Sequence, residues 1–275
     1  MPDFDARLPP ELRAKSPVPM TDEANAAWEE VLAARHSGRA PEQGPLAALY
    51  GPLLAAPSGP DGCLVFAHVA QSLDGRIATA RGSSRWISGQ PDIVHTHRLR
   101  ALADAVIVGA GTVRHDDPQL TVRHCAGASP VRVVIDSERR LAAGHTVFDG
   151  TPKTLLACAV DQADAGAPGQ AELLALPRAS DGGVSIPALL AALRGRGLAR
   201  LFVEGGGHTI GRFLRAGCLD RLHVAVAPLL LGSGVPVLAL PEIADIAEGM
   251  RLPVRHFLLG EDMLFDLAID RRRPQ

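Results

Sequence analysis

Residues 201–214, LFVEGGGHTIGRFL, contain a pattern that is typical of an α/β protein. An apolar run ends in Glu204, three glycines follow, and residues 209–216 have the spacing of a short amphipathic helix. The inward face of that helix would consist of Ile210, Phe213 and Leu214. Glycine offers no side chain for packing and costs backbone entropy on folding. The run therefore predicts that another group approaches this backbone closely.

A phosphate is one group that such a turn could bind. A glycine-rich turn between a strand and a helix exposes backbone N–H groups at the positive end of the helix dipole. The spacing is not that of a GxGxxG dinucleotide fingerprint, because Ile210 occupies the third glycine position. It is not a P-loop either, because no Lys-Ser/Thr pair follows. A tight turn that only needs positive φ angles explains the glycines equally well, so the pattern alone leaves both possibilities open.

The chain from Cys63 onward repeats this pattern of a strand followed by a helix. Short apolar runs alternate with helical patterns, and they are CLVFAHVA, AVIVGAG, VRVVID, TLLACAV, RLFVEGG and LHVAVAPLLL. This alternation predicts an α/β fold with a mostly parallel central sheet flanked by helices. Residues 255–269, RHFLLGEDMLFDLAI, contain two strand-like runs around a Gly-Glu-Asp turn, which predicts an antiparallel C-terminal hairpin.

The N-terminal residues differ in composition. Residues 1–19 contain five prolines and predict a loose arm. After them, apolar residues at helical spacing predict one helix that ends near Gly38 and docks through Trp28. We therefore divide the chain into an N-terminal extension with one helix, residues 1–62, and a domain of residues 63–275.

Composition excludes several classes of protein. The 275 residues have a formal net charge of −2 and only 4% aromatic residues, which argues against a nucleic-acid surface. The four cysteines lie far apart without CxxC spacing, so we expect reduced core residues. Neither a secretion signal nor an apolar run of membrane-spanning length occurs. These features predict a cytoplasmic protein that contacts neither nucleic acid nor a membrane.

A second glycine-containing segment covers residues 105–123, AVIVGAGTVRHDDPQLTVR. Two glycines end its strand, and Thr112 follows them with a hydroxyl that can donate or cap. Asp116 and Asp117 then precede a proline. Adjacent acids in a loop often form only a solvated turn, but open α/β sheets bind ligands at the carboxyl ends of their strands. The position favours a functional role.

The loop of residues 70–88, AQSLDGRIATARGSSRWIS, combines a predicted turn at Asp74-Gly75 with an isolated aromatic residue. Trp86 is either a lid over the core or the wall of a pocket for a flat ring. Arg100 shares a helical stripe with apolar residues and so faces inward, where a guanidinium needs an anionic partner. A substrate phosphate and a structural ion pair are both possible partners.

The histidines do not predict a metal site. His95 and His97 are two residues apart and would point to different sides of a helix. The sequence has no HExxH motif and no Cys/His cluster. A serine hydrolase is also unsupported, because the GxSxG elbow does not occur.

Six motifs occur in order along residues 63–270, and the set is far more specific than any single member. They are Ser72-Leu73-Asp74-Gly75, Gly82-x-Ser84-x-Trp86-Ile87, Arg98-x-Arg100-Ala101, Gly109-x-Gly111-Thr112-Val113, Asp116-Asp117-Pro118-x-Leu120-Thr121-x-Arg123 and Val203-Glu204-Gly205-Gly206. The set resembles the reductase domain of bacterial riboflavin biosynthesis, the 5-amino-6-(5-phosphoribosylamino)uracil reductase family, with its dihydrofolate-reductase-like fold. The resemblance implies NADPH as hydride donor, reduction of the ribose C1′ of the aminouracil ribotide, and a homodimer.

The resemblance also implies a role for individual residues. The substrate contacts would be Ser84, Arg100, Leu120, Arg123 and Glu204. The cofactor contacts would be Ala70, Trp86, Thr112, Asp116, Ser137, Gly206, Gly207, His208, Thr209, Ile210, Gly211 and Arg212. Asp116 and Glu204 would be the catalytic residues. The two arginines and Ser84 suit a 5′-phosphate, and Glu204 suits sugar hydroxyls.

Two departures from the family pattern leave alternatives open. Family members often carry a lysine four residues before Ser72, where this chain has His68. Another pyrimidine- or pterin-like substrate is therefore an alternative, and a non-catalytic nucleotide-binding regulator is a third hypothesis. The zinc signature of the fused deaminase domain, His-x-Glu with Pro-Cys-x-x-Cys, does not occur in residues 1–62. We therefore expect a reductase without that domain.

The strand VRVVID bears on the choice of cofactor. It ends in Asp136, and an acid at a strand end favours the ribose 2′-hydroxyl of NAD. Ser137, Arg139 and Arg140 follow directly and could hold a 2′-phosphate. The sequence therefore predicts NADPH rather than NADH.

Overall fold

The computed structural model describes residues 22–37, 44–57, 59–164 and 166–271. The expected N-terminal arm, residues 1–19, lies outside these ranges. The helices are α1 (Asp22–Ser37), α2 (Pro45–Leu54), α3 (Gln90–Leu102), α4 (Ala110–Asp116), α5 (Ile186–Arg194) and α6 (Gly207–Arg215). The strands are β1 (Leu64–Ser72), β2 (Arg76–Thr79), β3 (Ala105–Gly109), β4 (Val131–Ile135), β5 (Thr154–Ala159), β6 (Glu172–Leu176), β7 (Arg200–Glu204), β8 (Arg221–Ala227), β9 (Gly234–Pro236), β10 (Val254–Leu259) and β11 (Asp262–Ala268).

A nine-stranded sheet forms the centre of the molecule, with the order β10-β11-β8-β1-β7-β3-β4-β5-β6. The seven strands from β8 to β6 run parallel to one another, and β11 pairs antiparallel with both β8 and β10. Strands β2 and β9 form a separate antiparallel pair. The predicted parallel sheet with an antiparallel C-terminal hairpin is confirmed. Its central strands are mostly apolar, which fits a sheet that helices cover on both faces.

Two apolar cores lie on the two faces of the sheet. Helices α5 and α6 contribute Leu189 and Phe213 to one core. Helices α1, α2 and α3 contribute Trp28, Tyr50 and Leu99 to the other. The architecture is therefore a three-layer α/β/α arrangement, and the N-terminal extension belongs to one of its outer layers.

The N-terminal extension contains a second helix that the sequence did not predict. Helix α1 agrees with the predicted helix, and Trp28 is 1% exposed, which confirms that it docks. Helix α2 follows despite its glycine and its internal Pro52. Proline and glycine are poor helix formers, but Tyr50 and Leu53 are fully buried against the core. Tertiary burial outweighs local propensity here.

No helix in the described ranges is long and apolar enough to cross a membrane. All four cysteines are free thiols, and three of them are buried.

Candidate functional site

The motifs from the sequence meet at one edge of the sheet. Strands β1, β7 and β3 are adjacent and parallel, so their carboxyl ends lie side by side. The turn at residues 72–75 follows β1, the glycine run follows β7, and Gly109 ends β3. Helix α3 packs on one face of the sheet, where Leu99 lies in the same core as Phe66 of β1 and Phe202 of β7. The edge therefore gathers segments that are more than a hundred residues apart in the chain.

The acid of the first turn has a structural role. The Asp74 carboxylate accepts the backbone N–H groups of Leu231 and Gly232 at 3.1 and 2.6 Å, and the hydroxyl of Ser72 donates to it at 2.5 Å. The Ser72 hydroxyl and these amides lower the pKa of Asp74 to about 2. Asp74 thus ties the end of β1 to the loop after β8, and Gly75 completes the predicted turn with a φ of 78°.

Two glycine turns face each other across the cleft between β7 and β3. Gly206 has a φ of 74°, and a Cβ on it would lie 3.0 Å from the Thr112 hydroxyl. A Cβ on Gly109 would lie 2.4 Å from the Thr209 hydroxyl. No side chain caps the start of α6, and the first N–H groups of a helix have no partner within the helix. Bare backbone, two hydroxyls and a positive helix end suit the phosphates of a dinucleotide.

Two other glycines of the run have a packing role. A Cβ on Gly207 would lie 2.1 Å from the carbonyl oxygen of Val237, and a Cβ on Gly211 would lie 2.6 Å from that of Ala239. The segment 237–239 therefore lies directly on the first turns of α6. The glycines of this run therefore have two roles, because Gly206 borders the cleft while Gly207 and Gly211 admit a neighbouring backbone.

Arg100 and Glu204 form a bidentate ion pair at the centre of the site. The guanidinium Nε lies 2.7 Å from Glu204 Oε2, and Nη2 lies 2.5 Å from Oε1. Its Nη1 donates to the carbonyl oxygen of Thr121 at 2.8 Å. The side chains of Arg100 and Glu204 are 8% and 17% exposed. The structural ion pair that sequence analysis left open is therefore present, and it joins α3 to the end of β7.

Arg123 is the second predicted phosphate ligand, and its surroundings differ. Its Nη1 donates to neutral oxygens, Gln119 Oε1 at 2.9 Å and Thr121 Oγ1 at 2.6 Å. In the ranges that the structure covers, no carboxylate lies within ion-pair distance of it. Partial burial and the neighbouring Arg100 cation lower its pKa. Arg123 is therefore a cation without an anionic protein partner in those ranges, next to a cation that has one.

The adjacent acids after α4 have separate roles. Asp117 accepts the backbone N–H and the hydroxyl of Thr146, both at 2.8 Å, and so anchors a distant turn. Asp116 accepts a hydrogen bond from the Ser84 hydroxyl at 3.3 Å. This bond connects the loop before α3 with the end of α4, and it places a predicted substrate contact beside a predicted cofactor contact.

The loops around the site contain strained backbone. Trp86, Asp117 and Leu120 have φ angles of 67°, 39° and 56°. Positive φ is uncommon for residues other than glycine, and it is an outlier for a bulky aromatic residue. Such conformations concentrate at functional sites. The strain at Trp86 and Leu120 supports a binding role for the loops that carry them.

Several predicted cofactor contacts are engaged elsewhere in the protein. Arg212 forms an ion pair with Asp181 at 2.8 Å and also donates to the carbonyl oxygen of Val184. The Ser137 hydroxyl accepts the Val184 N–H at 3.0 Å. Ile210 is fully buried in the core, so only its backbone can meet a ligand. Of the remaining positions, His208 is exposed, while Ala70 lies half-buried beyond His68 on β1.

Sequence analysis missed one buried acid beside the site. Asp92 lies in the first turn of α3, and its Oδ1 is 3.0 Å from Nε2 of His68. Both side chains are less than 5% exposed. The signal was available, since Asp92 lies three and eight residues before the inward-facing His95 and Arg100 of the same helix. Within the described residues, no group of three His, Cys, Asp or Glu side chains is arranged to hold a metal ion.

Comparison with known proteins identifies the family of this chain. Residues 64–258 match the family model described as the RibD C-terminal domain. The 2,5-diamino-6-ribosylamino-4(3H)-pyrimidinone 5′-phosphate reductase of Methanothermobacter thermautotrophicus is 35% identical over 215 residues, which cover 74% of this chain and 97% of that protein. The riboflavin biosynthesis protein RibD of Mycobacterium tuberculosis is 33% identical over 72% of this chain, and the match spans about half, 52%, of that relative.

A solved structure from Thermotoga maritima, described as a diaminohydroxyphosphoribosylaminopyrimidine deaminase/5-amino-6-(5-phosphoribosylamino)uracil reductase, superposes with a TM-score of 0.66. It is 28% identical, and the match covers 76% of this chain and 57% of that one. The dihydrofolate-reductase-like fold that the motifs implied is confirmed. The chain belongs to the RibD C-terminal domain family.

Proposed function

We propose that this protein is an NADPH-dependent reductase of riboflavin biosynthesis, which reduces the ribosyl C1′ of 5-amino-6-(5-phosphoribosylamino)uracil to give a ribityl chain. The observation that carries the proposal is the juxtaposition of the glycine cleft with the Arg100–Glu204 pair and Arg123. A dinucleotide site and a site for a phosphorylated sugar thus share one edge of the sheet. The names of the relatives agree with this class of reaction.

The residues divide the work between the two ligands. NADPH, when bound, supplies the hydride. Gly206 and Thr112 would hold it, since their backbone and hydroxyl meet at the cleft, and Trp86, which the motif resemblance assigns to the cofactor, would join them. Arg123 would bind the 5′-phosphate of the substrate, for which it has no protein competitor in the described ranges.

Glu204 would orient the sugar. The bidentate contact with Arg100 holds its side chain as a carboxylate in one geometry, and a carboxylate retains lone pairs for further donors. Sugar hydroxyls could donate to these. Asp116 would lie on the cofactor side of the cleft, where its hydrogen bond with Ser84 joins the two binding regions. Misplacement of reacting atoms by about 1 Å can cost roughly 10²-fold in rate, so this positioning is the protein's main contribution.

The structure favours NADPH over NADH. The Asp136 carboxylate is buried and accepts the Leu141 N–H at 2.9 Å, so it is not presented to a ribose 2′-hydroxyl. Arg140 is exposed nearby and could meet a 2′-phosphate. Arg139 instead donates to the carbonyl oxygens of Gln162 and Gly166. We therefore expect kcat/KM with NADPH to exceed that with NADH, and comparable values would contradict the assignment.

The relatives' names point to a second candidate substrate. The Methanothermobacter protein, which this chain matches over nearly its whole length, is named for a 2,5-diaminopyrimidinone ribotide. That compound differs from the uracil only at ring position 2. The deciding experiment measures NADPH oxidation with each ribotide and with a panel of other pyrimidines and pterins. Turnover of neither ribotide, despite NADPH binding, would overturn the proposal.

We also propose that the protein is a homodimer. Val254, Leu258 and Met263 lie on one face of the outer hairpin and are 42%, 72% and 37% exposed. This apolar face continues the sheet to its unpaired edge strand, so a second copy of the chain is a fitting occupant. Light scattering should give a dimer, and Leu258→Glu should give a folded monomer. A monomeric wild-type protein would contradict this assignment.

A further inference from the structure

Three histidines from three elements meet beneath the candidate site. His68 of β1, His95 of α3 and His223 of β8 are all less than 5% exposed. The rings of His95 and His223 stack at 5.1 Å, and the His68 ring packs edge-on against His95 at 5.1 Å. None of the three is among the predicted contacts with substrate or cofactor. Their polar neighbours indicate which of the three rings is doubly protonated.

His95 and His223 form a directed chain of neutral rings. Asp266 Oδ1 lies 3.3 Å from His223 Nε2, without the alignment of a hydrogen bond. Because a carboxylate only accepts, its proximity favours the tautomer with the hydrogen on this nitrogen. His223 Nδ1 then accepts from His95 Nε2 at 3.0 Å. His95 Nδ1 in turn accepts from the hydroxyl of Tyr50 at 2.8 Å. Burial lowers the pKa of both rings, which agrees with their neutrality.

His68 has the opposite environment. Its Nε2 lies 3.0 Å from Asp92 Oδ1, and its Nδ1 lies 3.3 Å from the carbonyl oxygen of His223. The contact with Asp92 is an ion-pair distance and lacks the alignment of a hydrogen bond. Both nitrogens still face acceptors, and only the imidazolium form has a hydrogen for each. Burial opposes the charge, but the Asp92 carboxylate outweighs it and the pKa of His68 is raised.

The His68–Asp92 pair is connected to both halves of the site. Asp92 Oδ2 accepts the Ser88 hydroxyl at 2.6 Å, and Ser88 follows Trp86 in the loop before α3. Asp92 begins the helix whose last turn carries Arg100 to Glu204. His68 is also the register partner of Glu204 in the neighbouring strand. Charged pairs thus fasten α3 to the sheet at both ends, Asp92–His68 and Arg100–Glu204.

We propose that His68, as an imidazolium, is a positioning residue that holds Asp92, and through it the loop of Ser88 and Trp86, in the geometry needed for reduction. This inference rests on the proposed function. The titratable groups that face His68 are Asp92 and His95 on α3, Glu204 on β7 and His223 on β8. Two further titratable groups contact these histidines rather than His68 itself: Tyr50 on α2 contacts His95, and Asp266 on β11 contacts His223.

The pH dependence of activity gives the first test. Because the protonated form is required, kcat/KM should fall as pH rises through the raised pKa of His68. The stabilising contribution of the pair has the same sign, since it is fully present below the ordinary histidine pKa of about 6.5 and is lost above the folded value. His68→Lys keeps a cation and should move this alkaline limb to higher pH. A limb that stays in place in His68→Lys would overturn the proposal.

Removal of the charge gives the second test. His68→Gln should lower kcat/KM on the order of 10- to 100-fold and abolish the alkaline limb. It leaves Asp92 buried and unpaired, which is strongly destabilising, so His68→Gln/Asp92→Asn provides a neutral pair in the same place. The double variant should fold and also lack the limb. Wild-type activity and pH profile in a folded variant would overturn the proposal.

An NMR titration of the protein without substrate or cofactor tests this inference separately from the proposed function. The backbone amide resonances of Trp86 and Ser88 should titrate together with the His68 ring in the wild type, and should not do so in the double variant. If neither ribotide is turned over but these resonances titrate together, the proposed function fails while the positioning role of His68 holds. If they do not follow His68, the inference fails whatever the substrate.

Discussion

At the scale of single residues, the two arginines of the site should respond differently to removal. Arg123→Ala deletes a cation whose described partners are neutral oxygens. We expect KM for the phosphorylated substrate to rise by the equivalent of about 1.5–3 kcal/mol, the range for a hydrogen bond to a charged group. NADPH affinity and thermal stability should change little. Steady-state kinetics with isothermal titration of NADPH measure both, and an unchanged KM would place the phosphate elsewhere.

Arg100→Ala is the contrasting variant. It leaves the Glu204 carboxylate largely buried without its bidentate partner, and breaking a buried pair in this way typically costs about 3–5 kcal/mol. The variant should therefore lose thermal stability as well as kcat/KM. Arg100→Ala/Glu204→Gln removes both charges and should recover part of the stability but not the activity. If Arg100→Ala changes only KM, the ion pair does not contribute to the stability of the fold.

Substitutions at Glu204 and Gly206, on the two sides of the turn after β7, should affect different ligands. Gly206→Val introduces a Cβ at a φ of 74° and 3.0 Å from the Thr112 hydroxyl, so it should strain the turn and weaken NADPH binding. Glu204→Gln removes the charge that suits sugar hydroxyls and should lower kcat/KM while sparing NADPH affinity. Titration of NADPH into both folded variants decides the matter. The reverse pattern would show that the two assignments are exchanged.

The inward orientation of Arg100 could be predicted at the residue scale, but its protein partner could not, and this limit has a physical cause. The helical stripe places Arg100 inward, and the family resemblance implies that Arg100 and Glu204 both contact the substrate. The partner of Arg100 could not be derived, because the register between α3 and β7 is set by packing over 104 residues of sequence. Asp92 was missed for a different reason. Its helical spacing with His95 and Arg100 was a usable signal, but a polar residue in a first helical turn usually stays in solvent.

At the scale of elements, the glycines of α6 make a sharp prediction. Gly207→Ala places a Cβ 2.1 Å from the carbonyl oxygen of Val237, so the segment 237–239 must move away from the helix. We expect a lower Tm despite the better helix propensity of alanine. Gly51→Ala in α2 is the matched control, since its Cβ would meet no atom within 4 Å. It should be neutral or stabilise by up to about 1 kcal/mol.

Differential scanning calorimetry of the two variants compares their unfolding directly. Equal Tm values would mean that the segment yields without cost and that Gly207 is not needed for packing. The sequence predicted a helix at 209–216, whereas α6 is Gly207–Arg215. The difference arises because glycine has a low helix propensity, so the sequence does not predict that the helix begins at Gly207. The close approach of residues 237–239 is a tertiary contact, which the local sequence pattern does not show. The strands at the centre of the sheet were easier to predict from the sequence, because their apolar runs are nearly continuous.

At the scale of the whole molecule, the extension and the remaining chain share one core. Trp28 of α1 donates from Nε1 to the carbonyl oxygen of Ala126 at 2.8 Å, and its ring packs against Tyr50 and beneath the Arg98 guanidinium. Tyr50 also begins the chain of rings that leads to His223. We therefore infer that the boundary proposed at residue 62 separates two stretches of sequence but not two independently folding units.

Trp28→Ala tests this inference. Truncation of a fully buried tryptophan should cost about 3–5 kcal/mol, and the effect should appear in the unfolding of the whole chain because the lost contacts reach helix α3. Denaturant unfolding followed by far-UV circular dichroism should keep one transition at a lower midpoint. Val160→Ala, which truncates a side chain that is 62% exposed, should stay within about 0.5 kcal/mol of the wild type. A separate early transition in Trp28→Ala, with the main midpoint unchanged, would mean that the extension folds as its own unit.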